Sequence, residues 1–165
     1  MTELSKKNQI IGLLVWLGIS FITAAIGSAA SIHAGAFYSQ LIRADWAPPA
    51  NVFGPVWTVL YVFMGISSWL VWRVAGFHSA RKPLLIFIVQ LVVNAIWSWL
   101  FFEWHLGALA FVDILLLLAL VVATIVSFGR VKPLAAALLI PYLLWISFAA
   151  VLNYSVWMLN PQLLG

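Results

Sequence analysis

Residues 107–128 read GALAFVDILLLLALVVATIVSF, an apolar run whose one charged residue is Asp113. A helix rises about 1.5 Å per residue, so this run reaches across a hydrocarbon core about 30 Å thick. It lacks the period-two alternation of a barrel strand, and a helix satisfies its own backbone where no water is at hand. Lipid is the only solvent in which such a segment is stable on all sides.

The rest of the chain agrees. Of 165 residues, 65% are hydrophobic and 7% charged, whereas roughly a quarter of a soluble domain is charged. Comparable runs lie near 10–32, 52–74, 83–103 and 134–159. Together they predict an all-α integral membrane protein, a bundle of five transmembrane helices forming a single domain over 1–165. Pro83 and Pro133 fall at helix starts, where a missing N–H is harmless, whereas Pro141 lies inside the fifth run and predicts a kink. The first run is too long for a secretory signal, and the tail MTELSKKNQ lacks the arginines of a transit peptide.

Charge gives the orientation. Lys6, Lys7, Arg73, Arg81, Lys82, Arg130 and Lys132 fall on one side of the membrane, and only Arg43 on the other. The positive-inside rule therefore places the amino terminus in the cytoplasm and the carboxyl terminus outside. The net charge of +4 is scattered between apolar runs and makes no patch, so no nucleic-acid partner is expected.

Several chemistries are excluded. The chain has no cysteine, hence no disulfide framework and no thiolate. His33, His78 and His105 share no ligand spacing, so neither a metal site nor a bound cofactor is expected. No Ser–His–Asp set, phosphate loop or paired-carboxylate site is present. Internal repeats and energy-coupling motifs are likewise absent, which weighs against an alternating-access carrier.

What remains are polar and aromatic residues at membrane depth. At helical spacing Gln90, Asn94, Trp97, Ser98 and Phe101 fall on or near one face of the third run. Trp57, Tyr61, Gly65, Ser68 and Trp72 form a stripe on the second, and Tyr142, Trp145, Ala149, Asn153 and Trp157 one on the fifth. Buried amides in lipid ordinarily bond a neighbouring helix, and aromatics near span ends ordinarily anchor at the interface. Trp57 and Trp145 lie where anchoring explains them less well, so a flat apolar ligand between helices is the competing reading. Asp113 reads either as a functional carboxyl or as a protonated tie between helices. Small residues four apart, Ser20, Ala24 and Ser28 in the first run and Ala119, Ala123 and Ser127 in the fourth, read as close helix seams, within the bundle or across a dimer.

The connections are short except for 33–51, a long loop of the kind that often serves function. It leads into WAPPANVFGPVWTVLY at 46–61, where the prolines fix the direction in which the second helix starts.

That stretch, with QLVVNAIWSWLFF, ALAFVDILLLL and LIPYLLWISFAAVLNYSVW, resembles the signature blocks of the translocator protein family, also called TspO or the peripheral-type benzodiazepine receptor (MBR) family. The blocks occur in order over nearly the whole chain. The resemblance implies a five-helix bundle, usually a homodimer, which binds porphyrins, sterols or benzodiazepine-type ligands between its helices, with 33–51 folded over them as a lid loop. The ligand-binding residues it carries over are Tyr38, Pro49, Trp57, Asn94, Trp97, Ser98, Phe101, Trp145 and Ala149. In animal members a sterol-recognition pattern ends in a basic residue. Here Val151, Leu152, Asn153 and Tyr154 are kept, but Met158 stands at the basic position. That departure favours a tetrapyrrole ligand and a bacterial-type member in the cell membrane. The resemblance implies a membrane receptor, sensor or transporter of porphyrins such as protoporphyrin IX, regulating a tetrapyrrole-linked or stress response. Its alternatives are a light- and oxygen-dependent porphyrin-degrading enzyme using Trp57 and Trp145, and a non-catalytic assembly partner.

Overall fold

The computed structural model describes residues 5–165. Helix α1 runs Lys6–Ala30, α2 Ala34–Gln40, α3 Phe53–Ser79, α4 Arg81–Ser98, α5 Gly107–Gly129, α6 Pro133–Leu138 and α7 Ile140–Leu159. A 3₁₀ turn at Ala50–Val52 leads into α3, and a π turn at Trp99–Glu103 ends α4. Among the described residues five stretches are long and apolar enough to cross a membrane: Lys6–Ala30, Ala50–Ser79, Arg81–Glu103, Gly107–Gly129 and Pro133–Leu159. They are numbered here as spans one to five.

These bounds correct the expected ones in three places, each for a local reason. Span one begins at Lys6 rather than near residue 10, because the Ser5 hydroxyl accepts from the Asn8 N–H at 3.3 Å and caps a polar first turn. Span two continues past residue 74, but through Gly76 at φ 68°, a left-handed conformation that glycine adopts without a Cβ penalty. The predicted lid loop 33–51 is not all loop: seven of its residues form α2. Hydropathy marks where a chain is apolar, not where its helix stops.

Pro141 does interrupt span five, at the residue predicted within one turn. The chain breaks at Leu139 (φ −91°, ψ −8°), and Pro141 sits in the first turn of α7, where no backbone donor is needed.

Around the bundle, span one packs on spans two and three, span four on three and five, and span two on α6. Gly65 permits a close approach of two helices. A Cβ there would lie 2.7 Å from Leu17 Cδ2 and 2.9 Å from Leu17 Cα, so α1 and α3 meet nearly backbone to backbone. Ser67 Oγ donates to the Ala135 carbonyl at 2.6 Å and ties span two to α6. The Trp69 indole donates to the Gln9 carbonyl at 2.9 Å, tying the inner end of span two to span one. Ile10, Leu14, Ile22, Leu85, Val112, Leu116, Leu144 and Val151 point outward and are exposed, as a lipid-facing surface requires.

Candidate functional site

A cavity of about 390 Å³ opens between spans one, two and three in the outer half of the bundle. That volume falls within the range of small-molecule sites, roughly 300–1,000 Å³. Span one supplies Phe21, Ala24, Gly27 and Ser28, with Ser31 just past its end, span two Phe53, Trp57, Thr58 and Tyr61, and span three Asn94, Trp97, Ser98 and Phe102. Ala34, Gly35 and Tyr38 of α2 lie across its outer end. Among the described residues no charged side chain lines it.

The walls are aromatic and held by one another. Trp57 lies tilted against Tyr61 with ring centroids 5.6 Å apart and meets Tyr142 edge-on at 6.1 Å. Trp97 stacks on Phe101 at 5.3 Å and meets Phe102 edge-on at 5.7 Å. Its indole N–H donates to Asn153 Oδ1 at 3.0 Å, and Asn153 Nδ2 donates to the Gly107 carbonyl at 3.2 Å. The plane of Trp97 is thereby fixed from spans four and five.

Behind the cavity runs a buried polar chain. The Tyr61 hydroxyl donates to Asn94 Oδ1, Asn94 Nδ2 donates to the Tyr142 hydroxyl at 2.9 Å, and that hydroxyl donates to Gln90 Oε1 at 3.0 Å. Gln90 Nε2 ends the chain 3.8 Å from Met64 Sδ. Every hydroxyl donates once, so the order is self-consistent and links spans two, three and five. Several lining polar groups are also spent internally: Ser31 on the Gly27 carbonyl, Thr58 on that of Gly54 and Tyr38 on that of Pro48. The side chains of Trp57, Ser28 and Ser98 make no hydrogen bond among the described residues, and so leave an indole donor and two hydroxyls uncommitted on the lining.

The lid packs on the site from outside. Phe37 stacks on His105 at 4.1 Å and meets Phe101 edge-on at 6.4 Å, and His105 holds φ 55° to present its ring. The Tyr38 ring meets Phe53 at 5.6 Å, and the Arg43 guanidinium lies 4.7 Å over it. Burial pushes the Tyr38 phenol above its ordinary pKa, against a smaller lowering by the Arg43 hydrogen bond and charge. It therefore stays protonated and donates to the Pro48 carbonyl at 3.0 Å.

Of the residues carried over from the resemblance, Tyr38, Trp57, Asn94, Trp97 and Ser98 line this cavity, whereas Pro49, Phe101, Trp145 and Ala149 do not. Pro49 caps the 3₁₀ turn. Phe101 turns away because the π turn adds a residue per turn, with the Trp104 N–H bonding the Trp99 carbonyl at 2.8 Å, and Phe102 faces the cavity in its place. Ala149 is buried with Ile114 and Ala150 at the span four–five seam. Trp145 stands beyond Phe53, edge-on at 5.9 Å, and lines an open apolar groove between spans two and five with Pro55, Phe63 and Phe148. Its indole nitrogen is buried without a partner.

In the sterol-motif region Leu152 and Asn153 are buried, while Val151 and Tyr154 face lipid, so the four residues occupy two faces. Asp113 is half-buried in α5, and its Oδ2 has no hydrogen-bond partner. The contribution of span one went unread. Ala24 and Ser28 were legible as a small-residue stripe, but smallness leaves room for a helix or for a ligand alike. Only the fold shows that part of that room is cavity.

Five apolar spans around a lidded aromatic cavity define an integral membrane protein whose site lies inside the bundle rather than on a soluble domain. Residues 11–158 match the TspO/MBR family. The chain belongs to that family. It is 35% identical over 160 residues to the tryptophan-rich protein TspO of Chlorobaculum tepidum, covering 94% of this chain and 99% of that one. It is 44% identical to the human translocator protein over 123 residues, 73% of each. To protein CrtK of Rhodobacter capsulatus it is 34% identical over 154 residues, covering 90% of this chain and 94% of that one.

Proposed function

We propose that this chain is a membrane receptor for a porphyrin, a protoporphyrin-like pigment held in the cavity between spans one, two and three, and that it acts as a homodimer. The observation that carries the reading is the lining: flat rings of Trp57, Tyr61 and Trp97 beside three uncommitted polar groups, with no charge. A planar apolar macrocycle finds stacking surfaces there, each aromatic contact contributing about 0.5–1.5 kcal/mol beyond area burial. Its carboxylates would lie toward the lid, where Arg43 sits over Tyr38. A sterol is less well served, because the motif residues of span five are split between core and lipid.

Binding is preferred to the degradation alternative because that reading uses Trp57 and Trp145 together, and of the two Trp57 lines the cavity while Trp145 lines the groove between spans two and five. The test is a titration with protoporphyrin in the dark in lipid nanodiscs, followed by tryptophan quenching, with Trp57→Ala alongside. Saturable binding weakened at least about tenfold in the variant is the expected result, one ring contact plus lost burial being worth at least ~1.4 kcal/mol. Unsaturable partition, equal in both proteins, would overturn the reading. Loss of pigment absorbance only under light would move the assignment to the porphyrin-degrading alternative.

A further inference from the structure

The structure assigns Asn160 as the latch that holds the lid closed over the cavity, and we propose that it sets how long a ligand is retained. This inference rests on the binding reading above. Asn160 caps α7 and is 5% exposed. Its Oδ1 accepts the Ile42 N–H at 2.8 Å, and its Nδ2 donates to the Ile42 carbonyl at 2.8 Å. One side-chain amide thus pairs with both backbone groups of one lid residue, as a neighbouring β-strand would. The remaining Nδ2 proton goes to the Val156 carbonyl at 2.7 Å, one turn back, and fixes the amide plane.

The Ile42 side chain plays no part in this, being 63% exposed. The attachment is made through backbone alone. Its position matters more than its strength. Ile42 follows directly on Leu41, which is buried together with Phe37 and Tyr38 in the cluster beneath the lid, and Tyr38 lines the cavity. On the other side of the contact, the Asn160 carbonyl accepts from the Leu163 and Leu164 N–H groups at 3.1 and 3.0 Å. Leu164 is fully buried, and its carbonyl accepts the Gly107 N–H at 3.0 Å. The lid is therefore tied to spans four and five, which do not line the cavity, while the groups it covers belong to spans one to three. Opening at Ile42 releases the lid's share of the lining, Tyr38 included, but leaves in place the walls that spans one to three supply, so Asn160 is a positioning residue for the lid and not a ligand contact.

The test uses the full chain in nanodiscs. Because the sequence has no cysteine, Gln40→Cys gives a single nitroxide site on the lid. In the background of Asn160→Leu, which keeps the branched shape but removes both lid hydrogen bonds, the nitroxide is expected to become mobile. Protoporphyrin is expected to dissociate about tenfold faster, the scale set by losing two ordinary hydrogen bonds. Asn160→Asp keeps the acceptor for the Ile42 N–H and should fall between the two. Melting temperature is read for each variant, so that a protein that merely fails to fold is recognised. For that case, Ile42→Cys with Asn160→Cys, joined by a short bismaleimide, supplies the independent arm. The cross-link should slow dissociation below the wild-type rate.

An unchanged nitroxide in Asn160→Leu would overturn the latch. A mobile nitroxide with unchanged dissociation, or a cross-link without effect on it, would overturn its role in retention. Absence of saturable binding in the wild type would strike the porphyrin reading and retention with it, while the nitroxide alone would still tell whether the latch exists.

Discussion

Replacing Asn94 with leucine tests the buried polar chain, and the structure fixes how much should be lost. The side chain is 4% exposed and joins three spans. Leucine keeps the branched arrangement of heavy atoms while removing the amide, so most of the loss is polar. Two interhelical hydrogen bonds disappear, averaging about 0.6 kcal/mol each in a membrane protein. The Tyr61 hydroxyl also loses its acceptor, which for a sealed donor adds about 1–3 kcal/mol. Tyr61 lines the cavity, so water there can accept the proton and only part of that penalty is incurred. The expected loss is about 1.5–3 kcal/mol. It would be read from reversible unfolding in mixed detergent micelles by circular dichroism. Tyr61→Phe alone should cost about 0.6 kcal/mol. In the double variant no proton is orphaned, so the combined loss should be smaller than the sum of the two. Strict additivity, or an Asn94→Leu loss below ~0.3 kcal/mol, would refute the chain as drawn.

Three further substitutions follow from the same geometry. Gly65→Ala places a Cβ against the Leu17 backbone, which cannot swing aside, and should destabilise by about 1–3 kcal/mol in the same unfolding assay. Trp145→Ala should weaken protoporphyrin binding less than Trp57→Ala, because Trp145 reaches the cavity only through Phe53; dark titrations of both variants decide it. Pro141→Ala should change stability by less than ~0.5 kcal/mol, because the ring occupies a first helical turn. A mid-helix role would instead have been worth about 3 kcal/mol.

Much of the fold was legible because lipid imposes few solutions. Length and apolarity alone give the spans. Trp57, Asn94 and Trp97 were legible as site candidates because straight helices keep a constant phase, and their stripes face inward. Phase is also where legibility ended. A π turn after Ser98 exchanges Phe101 for Phe102, and no propensity in WLFFE announces it. Helix α2 was hidden because its seven residues, AGAFYSQ, are too short for periodicity to register. Trp145 stands on an open groove between spans two and five, and the spacing of two helices distant in sequence is written in no local pattern. Asn160 was passed over because its partner is backbone 118 residues away.

The central claim is that the ligand occupies the cavity between spans one, two and three, and filling that space tests it most directly. Ala24 is half-buried on the cavity wall contributed by span one. Ala24→Trp would place an indole there without removing any hydrogen bond or aromatic contact described above. The measurement is a dark protoporphyrin titration of that variant in nanodiscs, beside its melting temperature. Loss of saturable binding with melting retained is the predicted result. Wild-type affinity in a folded Ala24→Trp protein would place the ligand elsewhere and contradict the account.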